Sequence, residues 1–144
     1  MTSEVDAILK ELDARADYHK HPVTLPTPPT QAPPFVPLRD ATSAQRKMMP
    51  VVSGVMDYFP DAISAVAFIS YLGNQKHNPG EPLHWARGKS DDHADCMGRH
   101  LLRREELDND GVMEAAEMVW RAMAWLQLLL ERKFDLPPSP GSTA

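Results

Sequence analysis

Residues 110–130, DGVMEAAEMVWRAMAWLQLLL, decide the fold. Val112, Ala116, Val119, Met123, Leu126 and Leu130 recur at three- and four-residue spacing, which lines one face of an α-helix and does not fit the two-residue alternation of a half-buried strand. The turn at Asp108–Gly111 sets the start of this helix, and the prolines from Pro137 onward stop it. Working back along the chain, Pro60 stands at a first helical position. Ile63, Val66, Ala67 and Ile69 follow on one face, so a second helix is expected, stopping near Gly73 in a left-handed cap. Ser90 precedes DDHADCMGRHLLRR (residues 91–104) and is expected to cap a third helix of about 14 residues. A weaker helical turn is read over residues 42–49, and strand signals are nearly absent. The fold class is therefore all-α, a helical bundle.

The chain has 144 residues and a mass of 16.1 kDa, which suits one domain. Seven of its 14 prolines fall between Pro22 and Pro37. Proline fixes φ and lacks a backbone donor, so residues 21–38, HPVTLPTPPTQAPPFVPL, read as an extended proline-rich arm. The arm separates a peripheral N-terminal helix within residues 1–20 from the main domain, residues 39–136; a flexible tail is expected over 137–144. Short helices bury little surface alone, so a homo-oligomer, dimer or tetramer, is expected.

Composition removes several function classes. The longest apolar runs are broken well before the roughly 18 residues of a membrane span, and the start MTSEVDAILK lacks the basic and apolar regions of a secretory signal. A cytoplasmic protein with no membrane partner is expected. A formal charge of −5 argues against a general nucleic-acid binder. Cys96 is the only cysteine, so any metal must be held mainly by oxygen or histidine. The patterns GxxxxGK[ST], GxGxxG, GxSxG and HExxH are absent.

Chemistry-bearing residues concentrate between 76 and 100. Asp92 and Asp95 share a helix face, Asp91 adjoins them, and carboxylates at that spacing can share a hard divalent cation. The same acids also suit a helix N-terminus, where the macrodipole favours negative charge. Lys76, Arg87 and Lys89 can neutralise phosphate oxygens, and Trp85 can stack on a base. His93 and His100 read more simply as partly buried core residues, and Cys96 as a small core side chain. Glu114 and Glu117 repeat the spacing of three; a solvated face with a Glu117–Arg121 pair is the simpler reading, a second metal-binding edge the other. Trp120 and Trp125 belong to the core or a subunit interface.

Residues 46–104 with 110–130, and above all YLGNQKHNPGEPLHWARGKSDDHAD (71–95), resemble the phage and bacterial dATP/dGTP diphosphohydrolase-like family, which is similar to MazZ and the MazG all-α nucleotide pyrophosphohydrolases. The resemblance implies a MazG-like bundle and an enzyme, a nucleoside triphosphate diphosphatase. Such an enzyme hydrolyses a purine (deoxy)nucleoside triphosphate, dGTP, GTP or dATP, to the monophosphate and pyrophosphate. It further implies Mg²⁺ or Mn²⁺ held by two acid pairs. The second pair maps onto Asp92 and Asp95, with Asp91 beside them; Asp61 stands in the first, where Ser64 follows instead of an acid. Glu81, or Glu114 with Glu117, are the reserve ligands. Asp92, Asp95 and Lys76 would be catalytic, and Lys76, Asn78, His84, Trp85, Arg87 and Lys89 would bind substrate. Relatives of this kind serve phages that replace adenine with 2-aminoadenine, where dGTP is converted to dGMP. The alternative is a non-catalytic nucleotide-sensing or scaffold oligomer of the same fold.

Overall fold

The computed structural model describes residues 33–143. The helix expected within residues 1–20, and the arm up to residue 32, lie outside them. The described part is mostly helical, as the periodicity requires.

Helix α1 spans Ser43–Lys47, and its short run is set by a capping box. Thr42 Oγ1 accepts from the Gln45 amide at 3.3 Å while Gln45 Oε1 accepts from the Thr42 amide at 2.9 Å, satisfying two orphan donors reciprocally. A single π-helical turn, Val52–Met56, follows Pro50. Phe35 from the end of the arm packs edge-on against Phe134, ring centres 5.9 Å apart, bringing the arm onto this same chain.

Helix α2 runs Pro60–His77, with proline in its first turn where no amide partner is needed. The stop expected near Gly73 is corrected: Gly73 lies inside the helix, with no side chain crowding it. The helix ends at Asn78, because the residue before Pro79 is disfavoured in helical conformation. Gly80, at φ 82°, then turns the chain. Buried Asn74 ties this loop to the helix, donating to the Glu81 carbonyl at 3.0 Å and accepting from the His84 amide at 3.4 Å.

Helix α3 covers His93–Leu102 and is shorter than expected. Ser90 is extended and does not cap it; the cap position is Asp92, and the Ser90 hydroxyl instead donates to the Asp92 carboxylate at 2.8 Å. The next turn is built on Asp108, whose Oδ1 accepts from the amides of Asp110 and Val112 at 2.9 and 2.8 Å, with Gly111 at φ 78°. Helix α4 then runs Glu114–Phe134, about 32 Å long, and stops at Asp135 in the left-handed region. It packs along α3 and, less extensively, along α2.

After α4 the chain turns back. Strand β2 (Ser142–Thr143) pairs in parallel with β1 (Trp85–Ala86), and the Trp85 amide donates to the Gly141 carbonyl at 2.7 Å. The Ser139 amide donates to Glu131 at 3.0 Å. The tail expected to run free is therefore docked over its described part, a correction to the sequence reading.

The buried apolar side chains are small or of middle size: Ala41, Val66, Cys96, Val112, Ala116 and Ala124. Phe68, Tyr71, Met123 and Leu126 are each at least half exposed. Among the described residues no single helix is long and apolar enough to cross a membrane. Ser43–Met56 and Pro60–His77 together reach that length and composition but are bent by 89° to each other.

Candidate functional site

The C-terminal half of α2, the loop 83–90, α3, the turn at 108–112, the first turns of α4 and Gly141 line a cavity of about 750 Å³. Trp85 and Trp120 form its aromatic wall, ring centres 6.0 Å apart and nearly perpendicular. Trp120 Nε1 donates to Ser70 Oγ at 2.9 Å, which fixes that ring against α2. The Arg121 guanidinium lies over Trp120 at 5.5 Å and donates to Ser90 Oγ at 2.9 Å, bridging α4 to the loop.

Four cations face this space, Lys76, Lys89, Arg99 and Arg121, together with four carboxylates, Asp92, Asp108, Asp110 and Glu117. Lys76 pairs with Asp110 at 3.0 Å, and that hydrogen bond holds its ammonium pKa above the usual lysine range. Asp92 accepts from Arg99 at 2.9 Å, from Ser90 at 2.8 Å and from the Cys96 thiol at 3.2 Å; these donors, Arg99 foremost, hold its carboxyl well below the ordinary range.

The structure gathers part of the expected site. Lys76, Asn78, His84, Trp85, Lys89 and Asp92 all line the cavity. His84 Nδ1 donates to the Pro82 carbonyl at 2.8 Å, and Asn78 Nδ2 donates to Asn74 Oδ1 at 3.4 Å. Arg87 does not line it, and its expected phosphate-binding role is corrected. Its guanidinium makes two hydrogen bonds to Glu131, 2.5 and 2.8 Å, bonds Ser139 and Ser142, and lies over Trp85 at 4.6 Å. It braces the wall from behind.

The four acids expected to share metal ions do not surround one point. Asp61 is exposed on the first turn of α2, eight residues or about 12 Å along the helix before Ile69, where the cavity begins. Ser64 donates to the Pro60 carbonyl at 2.9 Å and so turns back on its own helix. Asp91 and Asp95 are exposed and lie outside the lining. Of that set only Asp92 faces the cavity.

Glu114 and Glu117 are not a solvated face. Glu114 is 2% exposed, and both carboxylates converge on His100 Nδ1, at 2.6 and 3.2 Å. Arg103 donates to the other Glu114 oxygen at 2.8 Å. Burial, the largest effect, pushes the Glu117 carboxyl above its ordinary range; Asp108 and Glu114 add to this, and His100 and Arg121 oppose it. The sequence carried one usable signal. His93 and His100 are seven residues apart, which places both on one side of α3, and the buried His93 marks that side as inward. Among the described residues neither ring nitrogen of His93 has a hydrogen-bond partner, and burial pushes its pKa down.

No family model, no curated protein and no solved structure matches this chain.

Proposed function

We propose that the protein is a metal-dependent nucleoside triphosphate pyrophosphohydrolase acting on a purine (deoxy)nucleoside triphosphate, with dGTP the first candidate. One observation carries the reading: a cavity large enough for a nucleotide joins two tryptophan rings to four cations and four carboxylates. Cations alone would suit a bare anion. Cations balanced by carboxylates suit a triphosphate that arrives with a divalent ion, because the ion offsets the repulsion between acids and phosphate.

In this reading Trp85 and Trp120 take the base, and Lys76, Lys89, Arg99 and Arg121 take the phosphate oxygens. Asp92, Asp108 and Glu117 are the carboxylates toward Mg²⁺ or Mn²⁺. The ion's contribution, when bound, is to polarise the phosphate and acidify a water. The protein's own contribution is positioning. Arg99 is held by Asp92 and Arg121 by Ser90, so both guanidinium groups are oriented before substrate arrives. Attack of water on phosphorus would release pyrophosphate and the monophosphate. In a phage, dGMP from dGTP would feed synthesis of 2-aminoadenine nucleotide.

The same reading includes a homo-oligomer. A chain whose buried apolar residues, among those described, are Ala41, Val66, Cys96, Val112, Ala116 and Ala124, and whose Phe68, Tyr71, Met123 and Leu126 are half exposed, gains burial by pairing with copies of itself.

The test is incubation of the purified protein with each dNTP and with GTP, with Mg²⁺, Mn²⁺ or chelator, resolving products by ion-exchange chromatography. Monophosphate and pyrophosphate in equal amounts from a purine triphosphate, lost with chelator, is the expected result. No turnover of any nucleotide would overturn the reading and leave the scaffold or sensor in its place.

A further inference from the structure

We propose that His100, Glu114 and Glu117 form a binding site for a divalent transition-metal ion, of the Mn²⁺ or Zn²⁺ class, that fills without nucleotide. The three residues each offer one ligand atom, and these atoms lie within 4.8 Å of one another. His100 Nδ1 stands 2.6 Å from Glu114 Oε2 and 3.2 Å from Glu117 Oε2. Ligands bonded to one such ion at roughly 2.1 Å sit about 3 Å apart, so a small opening of this cluster admits it.

The surroundings favour an ion over a simple histidine–glutamate pair. Acids in the first turn of a helix are ordinary, because the macrodipole favours them at an exposed surface. Here Glu114 is buried, Glu117 is three-quarters buried, and both carboxylates are aimed at one imidazole nitrogen. Arg103 answers Glu114, whereas Glu117 pairs only with the imidazole among the described residues, and a divalent ion would serve both carboxylates. Arg103, holding the second oxygen of Glu114 at 2.8 Å, does what outer partners of metal ligands do: it fixes the carboxylate's orientation.

The ligand set selects the ion. One imidazole with two carboxylates suits Mn²⁺ or Zn²⁺, whereas Mg²⁺ prefers oxygen ligands and keeps several waters. Three protein ligands leave a coordination position open, as in catalytic rather than structural sites. Glu117 also lines the cavity, so the open position is within reach of whatever occupies it. Glu117 is shared with the carboxylates proposed for the nucleotide's ion, but His100 and Glu114 are not, and the site is tested without substrate.

The experiment takes the full chain, dialysed against chelator and then freed of it. It measures Mn²⁺ binding by electron paramagnetic resonance and Zn²⁺ binding by calorimetry. Expected are one ion per chain, nitrogen coupling from one imidazole in the pulsed spectrum of the Mn²⁺ form, and at least about tenfold weaker binding in Glu117→Gln and His100→Ala. The exposed Glu105→Gln should bind as the parent does. Absence of Mn²⁺ and Zn²⁺ binding, or bound Mn²⁺ without nitrogen coupling, would overturn the proposal; the spectrum decides this even where a variant does not fold. Turnover with Mg²⁺ in a protein that binds neither ion by itself would sink this site and leave the nucleotide reading standing. Ion binding without turnover would do the reverse.

Discussion

Arg87 and Glu131, 44 residues apart in the chain, are joined by two hydrogen bonds at 2.5 and 2.8 Å with both side chains largely buried. The pair locks the loop behind Trp85 to the last turns of α4, and Ser139 and Ser142 extend it into the docked tail. Breaking a buried ion pair from one side strands the other charge. Arg87→Ala should therefore destabilise the fold by about 3–5 kcal/mol, read as a shift in the urea midpoint. Arg87→Lys should recover only part of that, because an ammonium cannot reproduce the two-pronged geometry. A loss within experimental error for Arg87→Ala would show that the pair does not hold this wall.

The same pair sets an acid limit. Hydrogen bonding from Arg87, the largest cause, lowers the Glu131 carboxyl from 4.5 to about 2. A group whose pKa is depressed by folding contributes stability that is complete above its unfolded value and disappears as pH falls through the folded one. The contribution is thus whole above pH 4.5 and is lost between there and about pH 2. Urea denaturation from pH 7 downward should show the parent's advantage over Glu131→Gln shrinking across that window. An advantage that stays constant throughout would contradict the assignment.

What the sequence made legible follows from how local each determinant is. Helix α4 was readable because its apolar face repeats along one continuous segment, and α2 because Pro60 marks its start. Arg87 was misread because its partner lies 44 residues on; from the sequence it is one more cation in a basic loop. Glu114 and Glu117 looked like a solvated edge, since the spacing of two acids does not tell which neighbouring helix covers them. Ser90 looked like a cap because serine before an acidic run usually is one. In the fold Asp92 takes the cap position, and Ser90 serves both Asp92 and Arg121. The cavity itself depends on segments far apart in the chain meeting, from α2 to Gly141, which no local pattern announces.

His93 makes a different kind of test. It is 3% exposed, neither nitrogen has a hydrogen-bond partner among the described residues, and its ring meets Trp85 edge-on at 6.2 Å. A buried polar group without a partner costs about 1–3 kcal/mol, and an apolar ring of similar size does not carry that cost. His93→Phe should leave stability at pH 7 unchanged or raise it by about 1 kcal/mol. Burial, helped by Arg121, lowers the His93 pKa from 6.5, so the folded state resists the proton that the unfolded chain accepts. Stability of the parent should accordingly fall as pH drops below 6.5, and the variant should lose less over the same range. A large destabilisation at neutral pH would mean that His93 has a partner, such as a buried water, that the phenyl ring cannot replace.

Asp92 and Asp61 separate the catalytic reading from the family pattern that suggested it. Both were expected to hold metal, yet Asp92 faces the cavity while Asp61 lies on the first turn of α2, outside it. Asp92→Asn keeps the size of the side chain but removes the charge that orients Arg99, so kcat/KM for the purine triphosphate should fall by about 100-fold or more. Asp61→Asn should change it by less than about threefold, as for an exposed residue away from the reacting groups. Equal losses from the two would mean that Asp61 reaches the substrate in the working assembly, with a neighbouring copy completing the site. Full activity in Asp92→Asn would remove Asp92 from the chemistry and move its duties to Glu117, Asp108 and Asp110, the other carboxylates that face the cavity.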